Sequence, residues 1–128
     1  MNEHGFVKAV HKHLSSDVYR WKINDRFTGG VPDAFYAGPA SILFVEYKFI
    51  YQLPKKTIKT GLSALQQQWL NRMSEYGLPC WVVIGTEKEG TAVLKDTSAE
   101  LDVLPKDAFD PALTYKDVAM SILEATYG

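Results

Sequence analysis

The sequence predicts an α/β domain, on the border with α+β, built as a mixed central sheet flanked by helices. Three observations carry that reading. Segments with helical apolar spacing alternate with short apolar runs in the order helix, three strands, helix, one or two strands, helix. With 128 residues, 46% of them hydrophobic, the chain is long enough to bury one core and needs no second domain. No internal repeat or low-complexity stretch interrupts the pattern, so residues 1–128 read as a single unit.

The bulk properties exclude several classes. A net charge of -1 exerts no global pull on a polyanion, so any nucleic acid must be held by a local patch. One cysteine, Cys80, rules out an intramolecular disulfide and a cysteine-based zinc cage. The N-terminus lacks a charged segment followed by an apolar one, and no apolar run approaches the roughly 20 residues that span a bilayer. A soluble, cytoplasmic protein without a membrane partner is expected.

In the first segment, Asn2 to Leu14, the apolar residues Phe6, Val7, Val10 and Leu14 fall at helical spacing, with Asn2 as N-cap and Glu3 in the first turn. Val18 to Ile23 alternates Val18, Arg20 and Lys22 with Tyr19, Trp21 and Ile23, the pattern of a strand with one wet face. A polar, glycine-ended loop carrying Arg26 leads to Val31–Tyr36, a short strand opened by Pro32, where a strand tolerates proline. Residues 37–41 form a hairpin turn. Ile42 to Phe49 is almost continuously apolar up to Glu46 and should be a central strand covered on both faces. Residues 50–60, with Pro54 and the lysines at 55, 56 and 59, read as a mobile basic loop. Leu62 to Tyr76 is an amphipathic helix with Ser63 as a cap and Gly77 as its stop. Cys80–Gly85 and Thr91–Leu94 are further strands, and Leu113–Thr126 is a terminal helix.

Asp33, Glu46 and Lys48 lie within otherwise apolar strand sequence, where a charge is tolerated only when paired, hydrogen-bonded or bound to a metal. Strand residues two apart share a face, so Glu46 and Lys48 emerge together and Tyr47 points away. If the hairpin pairs the two strands, Asp33 reaches the same edge. Two converging carboxylates repel unless one takes a proton or a cation sits between them. Hard oxygen ligands suit magnesium, with manganese as a substitute, and the backbone carbonyl of Tyr47 is placed as a third ligand. A lysine beside such a metal can hold the attacking water or neutralise charge on a phosphorus-centred transition state. The blander alternative is a Glu46–Lys48 strand ion pair with Asp33 capping a turn.

Pro32-Asp33 followed by Glu46-Tyr47-Lys48 resembles the PD-(D/E)XK nuclease signature. With the upstream helix, the flanking apolar strands and the helix opening Leu62-Ser63-Ala64-Leu65-Gln66, the set is similar to small stand-alone VRR-Nuc nucleases and to Holliday junction resolvase-like enzymes of phage type. The resemblance spans roughly residues 2–85. It implies a restriction-endonuclease-like core and a magnesium-dependent DNA endonuclease, with Asp33 and Glu46 as metal ligands and Lys48 as catalytic lysine. Gln66 matches the helix glutamine that supports the water or a phosphate, and Glu3 the first-helix acid that completes the metal shell. Arg20, Lys22, Arg26, Lys55, Lys56 and Lys59 are the expected phosphate contacts, which would make affinity salt-dependent. Branched DNA is the expected substrate, with a sequence-specific homing or restriction-type enzyme and a catalytically silent nucleic-acid-binding module as alternatives. A homodimer or larger homo-oligomer would pair two sites, with the terminal helix, or Trp21 and Phe27, as its surface.

Overall fold

The hairpin of residues 34–50 lies at the centre of the computed structural model, which describes residues 1–24 and 27–128. Asp25 and Arg26 lie outside the described residues, and with them the expected phosphate contact of Arg26. In chain order the elements are α1 (Glu3–His13), β1 (Tyr19–Lys22), β2 (Ala34–Ala37), β3 (Ile42–Ile50), β4 (Thr57–Lys59), α2 (Ala64–Glu75), β5 (Cys80–Thr86), β6 (Thr91–Leu94), β7 (Val103–Pro105) and α3 (Tyr115–Tyr127). The main sheet runs β1-β2-β3-β5-β6, and only the β3–β5 pair is parallel. That connection passes through α2, as a parallel crossover requires.

Strand alternation sorts the core into two layers. Leu43, Val45 and Tyr47 of β3 face α1 and α3, packing with Phe6, Val10, Val118 and Ile122. Phe44 and Ile50 face the other way, toward Leu70 of α2 with Val82 and Ile84 of β5. A strand covered on both sides has no wet face, which is why β3 reads as nearly unbroken apolar sequence. Each helix is closed by a side chain the sequence supplies. Asn2 Oδ1 accepts the Gly5 amide at 2.8 Å, while Ser63 with Gln66 and Thr114 with Asp117 form reciprocal capping boxes.

Three expectations are corrected. The segment at 50–60 is not a free loop: β4 pairs antiparallel with β7 as a small second sheet, and Ile58 is 0% exposed. The partner strand lies some 45 residues further along, at Val103–Pro105, and a contact that distant leaves no local signature. The first strand of the hairpin begins at Ala34, leaving Val31, Pro32 and Asp33 outside the ladder. In β1 the aromatic residues point to solvent, Tyr19 at 61% and Trp21 at 54% exposure, because α2 packs on β5 and leaves the β1 end of that face uncovered. Arg20 points the other way and donates to the carbonyls of His11, Leu14 and Ser15, closing the C-terminus of α1.

Candidate active site

The site forms where β2 and β3 part company. Their register pairs Ala34 with Val45, and the amide of Phe44 points away toward Pro79 beside β5, so the odd-numbered residues of β3 direct their backbone groups at β2. The next hydrogen-bonded pair in that register would set residue 32 opposite Tyr47. Residue 32 is proline, which has no N–H to give to the Tyr47 carbonyl. The ladder stops there. The Asp33 side chain takes over, its Oδ2 accepting the Tyr47 amide at 3.0 Å, while the Asp33 carbonyl is held by the amide of Ile23 at 2.8 Å. The N–H and C=O of one strand residue point to the same neighbour, so the Tyr47 carbonyl is directed into the gap beside the Asp33 carboxylate.

Glu46 is 2% exposed and lies close enough to Asp33 to feel its charge. Its carboxyl is pushed well above the usual range, first by burial and then by the charge of Asp33, with Lys48 partly opposing the shift. Glu3, exposed on the first turn of α1, is raised for related reasons, partial desolvation and the charge of Asp33. Three carboxylates thus crowd one lysine. Among the described residues the ion pairs are the N-terminus with Glu87 and Lys106 with Glu89, so Lys48 is held in neither and the Glu46–Lys48 strand pair does not form.

Gln66 enters from α2. As the third residue of its capping box it accepts the Ser63 amide through Oε1 at 2.9 Å, which leaves Nε2 to donate to Glu46 Oε1 at 3.4 Å. The approach of the loop before Asp33 to this helix end depends on Gly30. Its φ is +86°, and a Cβ there would lie 2.3 Å from the Leu65 carbonyl oxygen. The Gly-Gly-Val-Pro-Asp stretch is thereby seated against the end of α2 that carries Gln66.

The structure brings Asp33, Glu46, Lys48 and Gln66 to one place, with Glu3 at the margin. Among the described residues no three His, Cys, Asp or Glu side chains stand as a ready metal cage. Magnesium does not need one: it commonly takes one or two carboxylates and keeps several waters. Asp33 and Glu46 with the Tyr47 carbonyl fit that donor set. The expected phosphate contacts divide: Lys55, Lys56 and Lys59 are exposed along the β4 segment, Lys22 is exposed on β1, and Arg20 is engaged with carbonyls. A buried chain from His11 Nε2 to Tyr36 Oη (2.6 Å) and on to Tyr47 Oη (2.7 Å) lies under the site. No periodicity could announce it, because the three residues come from three elements.

No family model matches the chain, and no curated protein matches it in sequence. In three dimensions it is similar to Hjc, a Holliday junction resolvase from the archaeal hyperthermophile Archaeoglobus fulgidus, with a TM-score of 0.60 over 91% of this chain and 96% of the resolvase. The two share 14% sequence identity, so the likeness is one of fold. A mixed α/β sheet flanked by helices, with the β2–β3 hairpin at its centre, gives this chain the same fold as that resolvase.

Proposed function

We propose that the protein is a magnesium-dependent endodeoxyribonuclease that hydrolyses phosphodiester bonds and acts on branched or junction DNA. The observation that carries the reading is the Asp33 carboxylate, anchored on the Tyr47 amide beside the buried Glu46. Asp33, Glu46 and the Tyr47 carbonyl would hold the ion, with Glu3 completing its shell. When bound, the ion supplies Lewis acidity to the water nucleophile and to the phosphate. Gln66 orients the Glu46 carboxylate through its amide. Lys48, on the same face of β3, holds the water or neutralises the charge that builds on the phosphate oxygens as water adds and the P–O ester bond breaks. The resolvase-like fold supports branched DNA as substrate, and the motif set supports a place among stand-alone VRR-Nuc and phage-type nucleases.

A single site cuts one strand, so junction resolution calls for two copies. Trp21, Phe35, Phe44 and Trp69 form a run of ring contacts with centroids 6.2, 5.1 and 5.4 Å apart across the open sheet face, without a charged side chain among them. That face is the surface we assign to a homodimer. The alternative surface, α3, already packs its Val118, Ala119 and Ile122 into the core.

The test is cleavage of a four-way junction against linear duplexes of mixed sequence, with magnesium or manganese. Junction cutting that is lost in Lys48→Ala, with the fold intact, is expected. Full activity of that variant would overturn the site, and one defined cut in plain duplex would favour a sequence-specific enzyme. No cleavage of any DNA would leave the silent binding module.

A further inference from the structure

Behind Asp33, on the opposite side of the sheet from α2, a groove of about 530 Å³ runs between α1 and β1. Val7, Ile23 and Ala34 give it apolar walls, Lys8 and Lys22 stand on its rim, and Asp33 closes one end beside Glu3. The lysines come from separate elements, exposed on α1 and on β1, and neither joins an ion pair among the described residues. At the far end Arg20 is spent on the carbonyls of α1, and His11 on the tyrosine chain, so those groups shape the groove without being available to a ligand.

The volume falls at the lower end of small-molecule pockets, roughly 300–1,000 Å³, and suits one nucleotide. An apolar trough with two cations along its rim complements a molecule that has a flat, weakly polar body and anionic flanks. A base locked in a duplex is stacked and paired and cannot enter side-on. An unpaired base can do so at little cost.

We propose that the α1–β1 groove is a nucleotide pocket that receives one unpaired nucleotide flanking the phosphate to be cut, its base against Val7, Ile23 and Ala34 and its outer phosphate on Lys8 and Lys22. The proposal rests on the nuclease reading for the position of the scissile phosphate, and it deepens that reading by making an unpaired nucleotide the feature recognised in branched DNA. Lys8 is thereby assigned a contact that neither motif nor resemblance suggests.

The experiment is fluorescence anisotropy in EDTA with a labelled single-stranded deoxythymidine hexamer, and with versions carrying one abasic position in turn. Loss of one well-packed base is expected to weaken binding about tenfold at one position of the scan. Val7→Trp, which fills the trough, removes that positional difference. Lys8→Glu, on the exposed side of α1 where folding is not at risk, weakens the hexamer about tenfold and lowers the salt slope by about one. A flat abasic scan, with both variants binding like the wild type, overturns the pocket. The same flat scan in a protein that cuts junctions leaves the nuclease reading standing. An abasic-sensitive protein that cuts no DNA with magnesium or manganese keeps the pocket and overturns the nuclease reading.

Discussion

The Oδ2 of Asp33 accepts the backbone amide of Tyr47 at 3.0 Å, so a side chain stands where the β-ladder between two strands has given out. The same carboxylate that faces the proposed metal therefore also satisfies a buried backbone donor, since Tyr47 is 0% exposed. Structure and chemistry are joined in one residue, and two substitutions separate them. Asp33→Asn keeps an acceptor for the amide and should fold with near wild-type stability. Asp33→Ala leaves the amide unpaired and should cost about 1–3 kcal/mol. Both should lower metal-dependent cleavage at least about a hundredfold, the order seen when one transition-state contact is removed. Urea denaturation beside the cleavage assay checks this, and equal stability of the two variants would contradict the role given to the Tyr47 amide.

Pro32 bears on the same gap from the other strand. Pro32→Ala restores an N–H opposite the Tyr47 carbonyl and lets the ladder run one pair further. The carbonyl then has a competing partner. The magnesium concentration for half-maximal cleavage should rise about tenfold, one hydrogen bond's worth, with no loss of thermal stability. An unchanged magnesium dependence would remove the Tyr47 carbonyl from the ligand set.

Glu46 predicts how the metal-free protein responds to pH. Burial, and then Asp33, hold its proton more tightly in the folded state than in the unfolded chain. For a raised carboxyl the stabilising contribution is complete below the unfolded pKa and is lost as pH rises toward the folded one. In EDTA, this contribution to stability should fall away as pH rises from about 4.5 to about 9, and Glu46→Gln should abolish that fall. Millimolar magnesium should flatten it as well, by satisfying the charge that forms. Thermal melts across pH with and without magnesium decide the matter, and a wild-type protein as flat as Glu46→Gln would sink it.

His11 acts with the opposite sign. Burial, assisted by the positive charge of Arg20, lowers its imidazole to about 4, so it is neutral in the folded protein and bonded to Tyr36. The unfolded chain takes up a proton near pH 6.5 that the folded one refuses. Stability present above that value should therefore be lost as pH falls toward about 4. His11→Gln, which keeps a polar partner for Tyr36, should weaken this acid limb in a urea titration. An acid limb of unchanged steepness would show that the imidazole is not its source.

The small β4–β7 sheet is held by the wholly buried Ile58. Ile58→Ala should cost about 2–4 kcal/mol, as truncation of a packed aliphatic side chain does. A cost near zero in urea denaturation would mean that the basic segment is loose after all, as its composition alone suggests.

What the sequence determined by itself is local in origin. The period of Phe6, Val7, Val10 and Leu14, the caps at Asn2 and Ser63, and the apolar run of β3 interrupted at Glu46 each follow from the preferences of adjacent residues, so helices, central hairpin and the trio of charges could be read in order. Glu46 and Lys48 share a face because a strand alternates. The tertiary structure decided everything that depends on which distant segments touch. It made Thr57–Lys59 a strand by bringing up Val103–Pro105, turned Tyr19 and Trp21 outward because α2 does not reach that face of β1, and assigned Arg20 to the end of α1. It linked His11, Tyr36 and Tyr47 and opened a groove beside Asp33. Such contacts are set by the packing of elements far apart in the chain, and one chain's residue order carries no periodicity that encodes them.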